Sequence, residues 1–324
     1  MKHLKLALFI ALIALLFLIP VFVHNLYWVN VFSEWWIFIL LTTSFWLVMS
    51  TGQVNLGHAA FAAVGGYMSA ALVSVYGWNS WAALPIGIIT AGVVALILGF
   101  ITLRITGIYF IIVTVVLNYV VQIIFGIWTH PFGGLIGLAS LPPPNAFFKI
   151  HFNSIPALYY LTLIFMLLCV ILIYRIYCSS MGRVFRGINS SDRLAEHVGI
   201  NIMNYKVLAF VIGCMCAGLG GVLYTYYTGT IQPTSFTITQ STYYVVYAAV
   251  GGLAYFPGPI IGTLFLGYIT ELIKAYANFQ NIIFSVLLIA AMLLFKGGLW
   301  GLYLRGRNLF LRLIPKNKTD LKSV

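Results

Sequence analysis

The run AALPIGIITAGVVALILGFITL, Ala82 to Leu103, holds twenty-two residues without one charge. Crossing the hydrocarbon of a bilayer takes roughly 20 mostly apolar residues in a helix. Backbone groups in lipid have no water to bond, so repeated runs of this length mean helices rather than open sheets. Comparable runs recur along the chain, at about 6–23, 35–50, 56–76, 106–128, 157–175, 206–228, 241–255, 258–274 and 281–296. The composition agrees: 62% of residues are hydrophobic, 7% are charged, and the mean hydropathy is +1.03. The reading is an all-α, polytopic membrane protein of about ten spans (8–10), with a single transmembrane domain over 1–306 and a basic, frayed cytoplasmic tail over 307–324. The run 241–255 is short, and the junction YFPGP, Tyr255 to Pro259, either joins two full spans or closes a half-helix hairpin.

The opening MKHLKLALFIALIALLFLIPVFVHN has the charge pattern of a secretory signal but no small-x-small cleavage site, and it is expected to stay as the first span. Cys169, Cys178, Cys214 and Cys216 lie in or beside apolar runs without metal spacing and read as packing residues. The net charge of +12 does not point to nucleic acid, because no basic face alternates with aromatics. Instead the cations sit between apolar runs. With the N-terminus in the cytoplasm, fifteen Lys and Arg fall on cytoplasmic segments and two, Lys149 and Lys274, on external ones. That asymmetry orients the chain with both termini inside.

One cytoplasmic loop is charged beyond what orientation requires. The segment 179–206 carries Arg183, Arg186, Asp192, Arg193, Glu196 and Lys206, six of twenty-two charges in the chain. Asn189, Ser190, Ser191 and Asp192 are good helix N-caps, Asp192 suits the positive end of a helix, and Gly199 suits a left-handed C-cap. A short capped surface helix with mixed charges fits a protein partner better than a loop serving topology alone. On the other side of the membrane, the loop 129–156 is rich in glycine (Gly133, Gly134, Gly137) and proline (Pro142 to Pro144). It reads either as a plain turn-rich loop or as an external docking or gating surface.

Here the resemblance becomes specific. GRVFRGINSSDRLAEHVGINIMNYKVLAF (182–210) resembles the coupling loop of permease subunits from ABC-type importers of branched-chain amino acids. TGQVNLGHAAFAAVGGYMSA (51–70), VGGLAYFPGPIIGT (250–263) and GGLWGL (297–302) agree with it. The resemblance implies an importer permease bundle of that type in a bacterial or archaeal cell membrane. It also implies ATPase coupling through Gly182, Arg183, Arg186, Asp192, Arg193, Glu196 and Gly199. The implied partners are a second homologous permease subunit, two cytoplasmic ATP-binding subunits and an extracytoplasmic substrate-binding protein. No cofactor is expected. The chain has no G-x-x-x-x-G-K-[ST] segment, so hydrolysis is expected from the partner chains and this subunit is not itself an enzyme. Urea or other small amides are alternative cargoes for this kind of permease.

Polar residues inside apolar runs supply the candidate path. Gln53, Asn55 and His58 would be costly against lipid and should face the bundle interior. Thr114, Asn118 and Gln122 recur at four-residue spacing and share one helix face. Both sets read either as path lining or as a hydrogen-bonded packing seam. Gly213, Ala217 and Gly221 form a small-residue face and read as packing. Glu271 stands as the only acid deep in an apolar run, with Lys274 one turn away as a snorkelling partner. An intramembrane enzyme would need a second catalytic group near His58 or Glu271, and none appears at a catalytic spacing.

Overall fold

The computed structural model describes residues 14–23, 25–146, 151–274 and 297–313. These residues are helical throughout apart from turns and one isolated antiparallel bridge, Leu138 to Ile231. The chain divides into two compact units, Met1–Val245 and Val246–Val324. Of the expected spans, 281–296 lies outside the described residues, and 6–23 is described, as helix, only from residue 14 to residue 22.

The first unit contains α1 (Leu26–Met49), α2 (His58–Ser74), α3 (Ser80–Thr102), α4 (Ile108–Ile127), α5 (Ile155–Cys178), α6 (Ser180–Ser190), α7 (Asp192–His197) and α8 (Ile202–Thr228). α9 (Ile238–Gly251) begins in this unit and ends in the second. Five of these helices, α1, α3, α4, α5 and α8, are long and apolar enough to cross a bilayer. The helix starts are capped as their sequences indicate. The Asn25 side chain accepts from the Tyr27 amide at 2.9 Å, and Asn79 accepts from Trp81 at 2.9 Å.

α1 starts well before residue 35, where the apolar run suggested. Asn30, Ser33 and Glu34 interrupt the run, yet they do not interrupt the helix. Ser33 returns its hydroxyl to the Val29 carbonyl at 2.9 Å, and Trp28 leans on Phe32, which stacks on Trp36 along the same side. This extension corrects an expectation: Glu34 also sits inside an apolar helix, one long enough to span, so Glu271 is not the only acid deep in such a segment.

α1 and α8 form the centre, with 83% and 72% of their spanning windows buried, against 33%, 28% and 39% for α3, α4 and α5. The outer faces of α3 and α4 present Ile89, Val93, Ile97, Ile112, Val116 and Ile123 outward, as a lipid boundary requires. α8 packs against α1, α2 and α3 through its small residues. A Cβ on Gly213 would lie 2.5 Å from a Val48 methyl, and one on Gly65 would lie 2.5 Å from the Gly218 Cα. The helices therefore touch backbone to backbone, which is how membrane helices gain van der Waals contact without a solvent-driven force. Gly213, Ala217 and Gly221 are all buried, in agreement with the packing reading.

The loop 129–156, expected on the outside, is held by its own turns and bonds where it is described. Gly133, Gly134 and Gly137 take φ of 80°, 61° and 76°, and a short 3-10 turn runs over Gly134–Ile136. Leu138 and Ile231 exchange backbone bonds of 2.9 and 2.8 Å, and Leu141 donates to Gly229 at 2.9 Å. Asn145 accepts from both the amide and the hydroxyl of Ser80, at 2.8 and 2.9 Å. Lys149 lies outside the described residues.

In the second unit, α10 (Pro257–Ile273) follows a tight turn in which Gly252 takes φ 117°. α9 has 14 residues and α10 has 17, or about 21 and 26 Å at 1.5 Å per residue, so neither matches a full span. A Cβ on Gly262 would lie 2.8 Å from the Gly251 nitrogen, so the two helices fold back closely around YFPGP. Lys274 reaches Glu271 at 2.7 Å with its own side chain 46% exposed, the arrangement expected of a snorkelling pair. α11 (Gly298–Leu313) carries the helix past Gly306, so residues 307–313 are helical rather than frayed. The remainder of the expected tail is outside the described residues.

Candidate functional site

Between α1 and α2 the backbone leaves the helix. Gly52 takes φ 82° and residues 51–57 run irregularly, yet Thr51, Gln53, Asn55 and His58 are at most 3% exposed. Buried irregular backbone must find partners within the protein. The first amides of α2 have none inside their own helix, and side chains from elsewhere supply them. The Leu56 amide donates to Thr114 Oγ1 at 3.2 Å, Gly57 to Asn55 Oδ1 at 3.0 Å and Ala59 to Ser241 Oγ at 2.9 Å. With its amide turned to satisfy both ends, Asn118 accepts from Ala60 at 3.3 Å and donates to the Phe236 carbonyl at 3.2 Å. Gln122 Nε2 donates to the same carbonyl at 2.8 Å. His58 Nε2 lies 2.8 Å from Ser44 Oγ.

The two candidate sets thus meet in one seam. Thr114 and Asn118 close the start of α2, and the spacing read as a stripe is the register that lets one face of α4 do so. The seam has a cleft at each end. Gln122 borders a cleft of about 390 Å³ with Leu135 and Pro233, at the end expected to face outward. Gln53 borders another, of about 320 Å³, with Thr106, Asn189 and Lys206. Between them His58, Thr114 and Asn118 are buried.

At the expected cytoplasmic end, the charged segment folds as two helices rather than one. α6 turns Gly182, Phe185 and Ile188 inward and Arg183 outward, a three-residue rhythm not read from the sequence. Arg186 lies 4.4 Å from the centre of the Tyr177 ring and donates to the Tyr177 carbonyl at 3.1 Å. α7 is capped by Ser191, whose hydroxyl accepts from Leu194 at 3.4 Å, and ends before Gly199 at φ 83°. Asp192 Oδ2 meets Lys206 Nζ at 2.6 Å, with Lys206 only 4% exposed. Ala195 packs inward, while Leu194 and Val198, one turn apart, are 68% and 81% exposed.

The seven coupling candidates therefore separate by role. Arg183, Arg193, Glu196 and Gly199 face outward and are available to another chain. Gly182, Arg186 and Asp192 hold the segment to α5 and α8. Leu194 and Val198, apolar positions legible in the sequence, are the uncharged part of this exposed face, while the apolar Ala195 between them turns inward. Among the described residues no group of three His, Cys, Asp or Glu could hold a metal. Cys169, Cys214 and Cys216 are buried free thiols, and Cys178 is exposed.

Residues 27–295 match the family model described as the permease component of branched-chain amino acid transport systems. The chain is 25% identical over 309 residues to the high-affinity branched-chain amino acid transport system permease protein LivM of Escherichia coli, covering 86% of this chain and 73% of that one. It is 24% identical to LivM of Salmonella typhimurium, covering 75% of this chain and 62% of that relative. Over 125 residues it is 32% identical to the E. coli permease protein LivH, covering 38% of this chain and 40% of LivH. No solved structure matches the chain.

Proposed function

The chain belongs to the family of permease components of branched-chain amino acid transport systems, and from that premise we propose that it is one membrane-spanning half of an ATP-driven importer of leucine, isoleucine and valine. It works beside a second permease subunit, two cytoplasmic ATP-binding subunits and an extracytoplasmic binding protein, with its own termini in the cytoplasm. The observation that carries the reading is α7. A short capped helix presents two exposed apolar side chains among Arg193 and Glu196, and it is fastened from below by an ion pair to the buried Lys206. A helix kept only for topology has no use for either feature. An ATPase surface pushing on α7 would move α8 through Asp192 and Lys206, and α8 packs against α2, whose start forms one wall of the polar seam.

The path runs along that seam. Gln122 at the outer cleft and Gln53 at the inner one mark its two mouths, and Asn55, His58, Thr114 and Asn118 close it in this conformation. Opening it requires the capping bonds at the start of α2 to part, so the seam acts as gate and packing together. At the outer surface Leu135 and Ile136, 82% and 79% exposed, offer apolar contacts to a docked binding protein. The test is reconstitution of this chain with the other subunits encoded beside it. ATP-dependent leucine uptake, dependent on the binding protein, is expected. Stable assembly without uptake of any amino acid would overturn the reading.

A further inference from the structure

A second polar site lies outside the seam. α1, the end of α8, the 3-10 turn Pro233–Phe236 and the start of α9 enclose a small cavity of about 20 Å³. Its lining combines Glu34, Tyr224, Ser235 and Gln240 with the aromatic walls Phe38 and Phe236. Glu34 is eight residues from the start of α1, about 12 Å at 1.5 Å per residue, and Tyr224 is four residues from the end of α8. On the orientation proposed above, the cavity lies just beneath the external surface.

We propose that this cavity seats the ammonium group of a zwitterionic cargo as it enters the membrane, an inference that rests on the amino-acid permease reading. The size argues for a head group. A single water-sized group needs about 10–15 Å³ of such space, so the cavity holds one –NH3+ and no more of the molecule. The chemistry argues for a cation. Glu34 brings a carboxylate, and Gln240 Oε1 is a buried acceptor with no partner among the described residues. An ammonium offers three donors and no acceptor, which suits the Gln240 Oε1 and the Glu34 carboxylate on the two walls. Aromatic faces beside it add to the attraction for a cation. An acid inside a spanning helix is costly enough to mark a functional position by default. The aliphatic side chain of the cargo would remain outside the seat.

The experiment is leucine uptake by proteoliposomes holding the complete transporter, driven by ATP at saturating leucine-loaded binding protein. Glu34→Gln keeps the size of the side chain and removes its charge. It should slow uptake about tenfold or more, the loss expected for one charge-assisted hydrogen bond. Gln240→Leu, which tests the seat independently of Glu34, should slow it about fivefold, the loss of a neutral bond. Adding Gln240→Glu to Glu34→Gln returns the carboxylate to the other wall and should recover most of the rate, which a purely structural role for Glu34 would not predict. Wild-type rates in both single variants would overturn the seat and leave the permease reading standing. A wild-type complex that assembles but moves no amino acid would overturn both.

Discussion

Neutralising Asp192 should loosen the docking helix without unfolding the membrane bundle. Asp192 and Lys206 meet at 2.6 Å with side chains 41% and 4% exposed, so the two ends of the pair are unequal. Asp192→Asn leaves a buried ammonium without its counter-charge. Breaking a fully buried pair from one side costs about 3–5 kcal/mol. Because Asp192 is well exposed, water can follow it toward the cation, and screening reduces the figure to about 1–2 kcal/mol. Lys206→Met removes the buried charge itself and leaves a carboxylate that water can reach, so its cost should be under about 1 kcal/mol. The double variant should resemble Lys206→Met. Hydrogen exchange of the α7 amides reads this directly. Opening of α7 should quicken about 5- to 30-fold in Asp192→Asn and far less in the other two variants. In the reconstituted transporter the same variant should hydrolyse ATP with less uptake per ATP. Unchanged exchange in Asp192→Asn, or a larger effect from Lys206→Met, would refute the argument that this pair fastens α7.

The exposed pair on α7 should be tested by charge: Leu194→Asp with Val198→Asp is expected to abolish co-purification of the ATP-binding subunits while membrane insertion, scored by the yield of folded permease, stays normal. Asn118→Leu removes one bond each from the Ala60 amide and the Phe236 carbonyl, which keep Gly57 and Gln122 as partners, and interhelical bonds in membranes are worth about 0.6 kcal/mol each. The complex should therefore assemble with nearly wild-type thermal stability but lose uptake; a large drop in melting temperature would mean that the seam is packing alone. Gly65→Leu drives a side chain into the Gly218 backbone and should cost the folded protein outright, seen as loss of a monodisperse peak on gel filtration, whereas Gly187→Ala, where nothing lies within 4 Å, should be neutral.

The sequence by itself determined the solvent and much of the local chemistry. Apolar runs of bilayer length, the distribution of Lys and Arg, and the caps at Ser191 and Gly199 are all short-range signals, set by residues a few positions apart. The four-residue spacing of Thr114, Asn118 and Gln122 was equally legible, but what the stripe does was not. Its partners, Leu56, Ala60 and Phe236, are distant in the chain, and only the packing of α2, α4 and the turn before α9 brings them to it. The same holds for Asp192 and Lys206, which looked like two members of a charged surface and are a fastening. The apolar run at 35–50 does not show that the helix begins earlier, because Asn30, Ser33 and Glu34 break the apolar pattern, while Ser33 bonds within its own turn and the aromatic side chains carry the helix through.

Tertiary structure alone decided which helices are central. α3, α4 and α5 look like the strongest core segments by apolar content, yet they form the rim, and the more polar α1 is the most buried. The physical reason is the solvent. Lipid is as apolar as a protein interior, so hydrophobicity cannot tell a lipid-facing side chain from a buried one. Small residues that allow backbones to touch and polar groups that must find partners make the distinction instead, and both act between elements far apart in the chain.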